Sequence, residues 1–179
     1  MKFLFNLLIV VFIYSPCTAQ DSYIQAIRKE YKQINQWIEK EALDLTEKQV
    51  EDEELHSTIE YYQKEKQLKL IKVNSHDASH AASETSYYNM NNGLMFIFHD
   101  FGYWQFSGMD KDGNSTTTDF VEETRCYFKD EKPIRCLGRK YDSTIDAKEA
   151  KNKKVDCLEC LELLKEFKKL AAAKTDNRP

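Results

Sequence analysis

The chain has 179 residues, a formal net charge of −4 and 41% hydrophobic residues. Ten Phe, ten Tyr and two Trp stand against five Gly and three Pro, which excludes collagen-like and low-complexity disordered chains. The acidic balance excludes a general nucleic-acid binder, which would carry a basic excess, and the length suits one domain.

Lys2 precedes an apolar run from Phe3 to Tyr14, broken only by Asn6, and Ser15 to Ala19 follow as a short stretch of mostly polar and small residues. The run is about a dozen residues long, where a stable span needs ~20. It reads as a signal peptide over 1–19, with Cys17 and Ala19 as small residues three and one before the cut and Gln20 as the new terminus. An uncleaved anchor and lipidation of Cys17 are the alternatives; Tyr14 and Pro16 suit a lipidation motif poorly. This predicts an exported protein, periplasmic or secreted, with no stable membrane insertion once the leader is gone. Residues 20–174 form one domain and 175–179 a frayed tail.

A helix opens the mature chain. Ser22 and Gln25 fit a capping box, and Ile24, Ile27, Tyr31, Ile34 and Ile38 recur on a 3.6-residue period as one apolar stripe. Arg28, Lys29, Glu30, Lys32 and Gln33 fall on the solvent side. Residues 44–56 are acidic (Asp44, Glu47, Glu51, Asp52, Glu53, Glu54), follow no apolar period, and read as a solvated connection.

An internal repeat organises the middle of the chain. Glu84-Thr85-Ser86-Tyr87-Tyr88 recurs as Glu123-Thr124-Arg125-Cys126-Tyr127, and Thr58-Ile59-Glu60-Tyr61-Tyr62 is a looser copy. A turn and a second apolar run follow each copy: Leu68 to Val73, Leu94 to Phe98, Ile134 to Leu137. Each unit reads strand, turn, strand. Residues from about 144 to 173 read as a second helix, with Val155, Leu158, Leu161, Leu164 (or Leu163), Phe167, Leu170 and Ala171 as its apolar face. The predicted fold is α+β: an N-terminal helix, a roughly six-stranded antiparallel meander of three hairpins, and a C-terminal helix. The central hairpin is apolar on both strand faces, so the helices or a strong curl of the sheet must cover it.

The helix Ile24 to Asn35 followed by Tyr-Tyr hairpins ending in Asn92-Gly-Leu-Met-Phe-Ile-Phe98 resembles a group of exported proteins common in Bacteroidetes. The resemblance covers roughly residues 20–140 and implies export and the helix-plus-meander fold. It implies no chemistry, and Cys157 and Cys160 lie outside its pattern.

The strongest functional signal is aromatic density between Phe96 and Phe106. Phe96 and Phe98 read as core. Phe101, Tyr103, Trp104 and Phe106 read as the end of a strand and the loop beyond, where they cap the core or form a platform for a glycan or partner protein. A binding or interaction module is therefore expected, with an acid-using hydrolase built on residues such as Asp100 or Glu123 as the alternative. Asp110, Asp112 and Asn114 have calcium-loop spacing, but Ser115 and Val121 stand where such a loop needs Gly and Glu; a polar loop is expected. His76, Asp77 and His80 lack a helical period to gather them on zinc. No catalytic residue, metal site or cofactor is singled out.

Losing Cys17 with the leader leaves Cys126, Cys136, Cys157 and Cys160, an even number compatible with two disulfides. A three-residue turn from Asp130 to Lys132 would set Cys126 opposite Cys136 and Phe128 opposite Ile134, gathering the apolar residues on one face. A Cys126–Cys136 disulfide is expected on that register. Two sheet-to-helix bridges are the rival arrangement.

Overall fold

The computed structural model describes residues 16–51, 55–77, 81–90, 93–145 and 147–176, with side chains between Gln20 and Lys174. Residues 1–15 of the expected leader, Asp52 to Glu54 of the acidic stretch, His80, residues 91–92 of the expected turn and the last three residues lie outside them. Among the described residues, helix α1 (Pro16–Glu39) leads into eight strands, and helix α2 (Leu158–Asp176) follows them. The strands are β1 (Asp44–Glu51), β2 (Leu55–Lys64), β3 (Gln67–Asp77), β4 (Ala81–Met90), β5 (Gly93–Met109), β6 (Ser115–Lys129), β7 (Lys132–Asp142) and β8 (Lys153–Lys154). They pair in sequence order as one antiparallel meander.

The architecture is α+β with a helix near each end, but the sheet has eight strands where six were expected. The acidic stretch read as a connection is mostly β1, exposed at all eight positions. An edge strand needs no apolar period, because its backbone pairs with β2 while both faces meet solvent. The inter-hairpin loops are largely strand as well. Asn74 to Asp77 stay in β3, and Phe101 to Phe106 stay in β5.

The three hairpins, β2–β3, β4–β5 and β6–β7, share a geometry that explains the repeat. Each slips register immediately after the repeat tyrosine, between Tyr62 and Gln63, Tyr88 and Asn89, and Tyr127 and Phe128. The opposite strand accommodates one extra residue there, Lys69, Met95 or Ile134, as a β-bulge. In two of the hairpins both turn residues have positive φ: Glu65 and Lys66 at 52° and 65°, Asp130 and Glu131 at 51° and 59°. This is the two-residue type I′ turn, whose twist matches that of the strands.

Because strand side chains alternate, the tyrosine pairs divide between two cores. Tyr61, Tyr87 and Cys126 face α2, in one cross-strand row with Ile71, Ile97 and Cys136. Tyr88 and Tyr127 face α1, with Leu70, Met95 and Phe96. The helices thus cover opposite faces of one sheet near its hairpin turns. α1 buries Ile24, Ile27 and Ile34. It runs through Ser22, so that residue is not its cap; Pro16 stands at its first described position, where a missing N–H is tolerated. It ends in a Schellman motif: Ala42 N donates to Trp37 O (2.8 Å) and Glu41 N to Ile38 O (2.9 Å), with Glu41 at φ 52°.

α2 starts at Leu158, not near 144, and its buried face is Cys160, Leu163 and Leu164, extended by Phe167 and Leu170. Leu158 and Leu161 point outward. The cause is covalent. Cys160 bonds Cys126 (Cα–Cα 5.7 Å) and Cys136 bonds Cys157 (Cα–Cα 5.6 Å), with sequence separations of 34 and 21. The expected Cys126–Cys136 disulfide is absent, although those residues are directly opposed as anticipated. Opposed strand residues hold Cβ atoms about 4.5–5.5 Å apart, wider than the ~3.8 Å typical of a disulfide. α2 brings two further cysteines onto the same face, so each strand cysteine bonds upward. The turn also differs. It has two residues, Phe128 pairs Pro133, and the bulge at Ile134 restores the Cys126–Cys136 alignment that a two-residue turn alone would lose.

Among the described residues no helix is long and apolar enough to cross a membrane.

Candidate functional site

The far half of the sheet extends beyond both helices and carries the four aromatic residues singled out above. Phe101, Tyr103, Trp104 and Phe106 do not form one platform. Tyr103 pairs Phe120 and Trp104 pairs Asp119 in an unbroken ladder, so the two side chains leave on opposite faces.

On the α2 side, Phe101 lies 5.5 Å from the Tyr103 ring and Tyr103 stacks on Phe120 at 5.4 Å. Lys140 Nζ stands over both Tyr103 and Phe120, 5.3 and 5.7 Å from their centroids. It donates to Tyr103 Oη and Glu122 Oε1, both at 2.6 Å, and Tyr103 Oη donates to Glu122 at 3.0 Å. The Lys140 ammonium, with the Tyr103 hydroxyl, holds the Glu122 carboxyl below its ordinary range. This cluster is internally satisfied.

On the α1 side the strand leads into a different structure. The last β4 pair is Ala81 with Tyr103 and the last β7 pair is Phe120 with Asp142. Beyond them the strand residues between 104 and 119 continue the β5–β6 ladder as a two-stranded ribbon about 20 Å long, tied at its base to the chain after β7 by the Ser143 N–H, which donates to Asp119 O at 2.9 Å. Trp104 and Phe106 share its α1-side face, opposite Asp119 and Thr117. An extra residue, Ser107, then shifts the register, and Gly108 takes φ 132°. Met109 consequently pairs Ser115, on the face of Thr117 and Asp119. The bulge thus returns Met109 to the side of Trp104 and Phe106, and the three are 71%, 38% and 60% exposed respectively.

At the ribbon tip, Asp110 Oδ1 accepts from the N–H groups of Asp112 (2.9 Å) and Asn114 (2.8 Å), and Oδ2 from Asn114 Nδ2 (3.0 Å). Those bonds lower the Asp110 carboxyl below its usual value. The loop with calcium-like spacing is an Asx-type turn that uses its own oxygens. His76 stacks on His56 across β2 and β3 at 5.4 Å. Among the described residues no three His, Cys, Asp or Glu side chains could hold one metal ion.

Asp100 and Glu123, the carboxylates of the hydrolase alternative, are cross-strand neighbours, and Glu84 pairs Asp100 from the other side. They stand side by side on one face, not across a cleft. Glu123 is 4% exposed. Arg125 donates to its Oε2 at 2.7 Å, Arg139 to its Oε1, and Tyr141 Oη to Oε1 at 3.1 Å. Burial, then the Glu123 and Glu84 charges, raise the Asp100 carboxyl. Glu123 is thus an ion-paired anchor for β6 and β7.

Next to this row, α1 and the β5–β6 floor enclose a groove of about 710 Å³ lined by Arg28, Lys32, Phe96, Phe98, Arg125 and Tyr127 among others. The helical spacing of its basic residues is visible in the sequence. The floor they overlook depends on sheet register, and no sequence signal gave it.

No protein-family model matches the chain, and neither curated proteins nor solved structures yield a significant match.

Proposed function

We propose that this chain is an exported interaction module that docks a protein partner through the apolar face of the 104–119 ribbon. One observation carries the reading: the Ser107 bulge aligns Met109 with Phe106 and Trp104 on a ribbon that neither helix covers. A lone two-stranded ribbon is marginally stable in water, and an exposed apolar stripe on it favours association. The mixture of Trp, Phe and Met supports a protein surface over a glycan, because a flexible thioether packs against apolar side chains and offers nothing to sugar hydroxyls.

Export is part of the proposal. Two disulfides fit an oxidising compartment. The leader-like first 19 residues and the resemblance to exported Bacteroidetes proteins support the same reading.

The test is the double variant Phe106→Ser/Met109→Ser. Both side chains are over half exposed, so the fold should be unchanged by circular dichroism while a protein that co-purifies with the wild-type chain is lost. Retained association, or binding to a glycan array that the double variant abolishes, would contradict a protein-docking ribbon.

A further inference from the structure

α1 is sorted by charge around its axis. Glu30 faces β3, where Lys69 Nζ lies 3.9 Å away. Gln25, Arg28, Lys29 and Lys32 fall 3, 1 and 3 residues apart, a single helical stripe on the flank toward β5 and β6. Arg28, Lys29 and Lys32 are exposed, and among the described residues none is ion-paired. They overlook a floor of Phe96, Phe98 and Tyr127, with Tyr31 packed edge-on to Phe96 at 5.6 Å.

A fourth cation stands across the groove. The Arg125 guanidinium lies 5.6 Å from the Phe98 ring centre and is held by Asn152 Oδ1 (2.8 Å) and Glu123 Oε2 (2.7 Å). Its orientation is therefore set before any ligand arrives. Of the acidic row beside the groove, Glu123 is already paired with Arg125 and Arg139 and Glu84 with Lys72, and Asp100 stands between those two carboxylates. Four cations thus converge on one aromatic trough in a chain whose net charge is −4. Such a local reversal of sign concentrates anions, and a volume near 710 Å³ falls within the range of small-molecule sites.

We infer that this groove binds a small amphipathic anion. Its aromatic or acyl body lies on Phe96, Phe98 and Tyr127. Its carboxylate or phosphate sits between the Arg28–Lys32 flank and Arg125. The site is separate from the ribbon, which shares no residue with it.

A matched pair of probes tests this on the intact mature chain: anilinonaphthalene sulfonate, and phenylnaphthylamine, which keeps the rings and lacks the charge. The sulfonate should bind saturably with one site per chain, and the neutral probe about tenfold more weakly or less. Arg28→Gln/Lys32→Gln should weaken the sulfonate about tenfold and leave the neutral probe within about twofold. Those residues are exposed, so the fold is not at risk. Phe106→Ser/Met109→Ser should change neither. Monomeric dodecyl phosphate should displace the sulfonate; displacement by phosphatidylglycerol vesicles as well would place the natural headgroup on a lipid surface. Equal affinity for both probes, an unchanged sulfonate affinity in the Arg28/Lys32 variant, or loss of binding in the ribbon variant would each overturn the assignment.

Discussion

Cys126 lies directly opposite Cys136 in the β6–β7 ladder, yet the two bond different partners, Cys160 in α2 and Cys157 just before it. The two bridges fix the pitch of α2 on the sheet and turn Leu158 and Leu161 to solvent. Non-reducing peptide mapping should recover Cys126 joined to Cys160 and Cys136 joined to Cys157. A Cys126–Cys136 peptide would refute this connectivity. Replacing one bonded pair, as in Cys126→Ala/Cys160→Ala, should lower stability by about 2–5 kcal/mol in urea unfolding.

Hairpin order and the tyrosine repeat were legible because each unit carries its own alternation and turn chemistry. Sequence also put Cys126 opposite Cys136, by way of a turn one residue too long. The bulge at Ile134 supplies the missing residue, and nothing in an isolated strand announces a bulge. β1 was missed for a related reason: an edge strand exposed on both faces has no hydrophobic period to read. The aromatic residues were located, but their division between two faces follows from β5 continuing past Gly102, where a loop was expected. Met109 entered the candidate surface only through the Ser107 bulge, and the groove needed the position of α1 over Phe98 and Arg125.

Glu123 is the buried centre of the polar row. Glu123→Ala would leave Arg125 and Arg139 facing each other without their shared carboxylate. Removing one partner of a buried ion pair costs about 3–5 kcal/mol, and urea unfolding at neutral pH should show a loss of that order. A loss below about 1 kcal/mol would mean that solvent reaches the pair.

Asp100 has the opposite character. Its carboxyl is raised above the ordinary aspartate value of 3.8, first by burial and then by Glu123 and Glu84. A raised folded value means that the stabilising contribution is fully present below 3.8 and is lost as pH rises through the folded value. Asp100→Asn should therefore raise Tm at neutral pH, by no more than the 2–4 °C that about 1 kcal/mol gives a chain of this size. The gain should vanish near about pH 3, where the wild-type carboxyl is protonated in both states. A gain independent of pH would show that the charge is not its cause.

The ribbon is the part of the molecule on which the functional reading stands, and the photo-reactive residue benzoylphenylalanine can test each of its faces separately. Phe106 and Met109 lie on the apolar face; Gln105 and Thr118, which pair with each other, lie on the opposite one. With the cross-linker placed singly at these positions in the full chain expressed in cells, adducts to one partner should form from 106 and 109 and fall at least about tenfold from 105 and 118, since the reactive carbonyl reaches only its immediate neighbours. Equal labelling from both faces, or adducts from 105 and 118 alone, would contradict docking through the Trp104–Phe106–Met109 stripe.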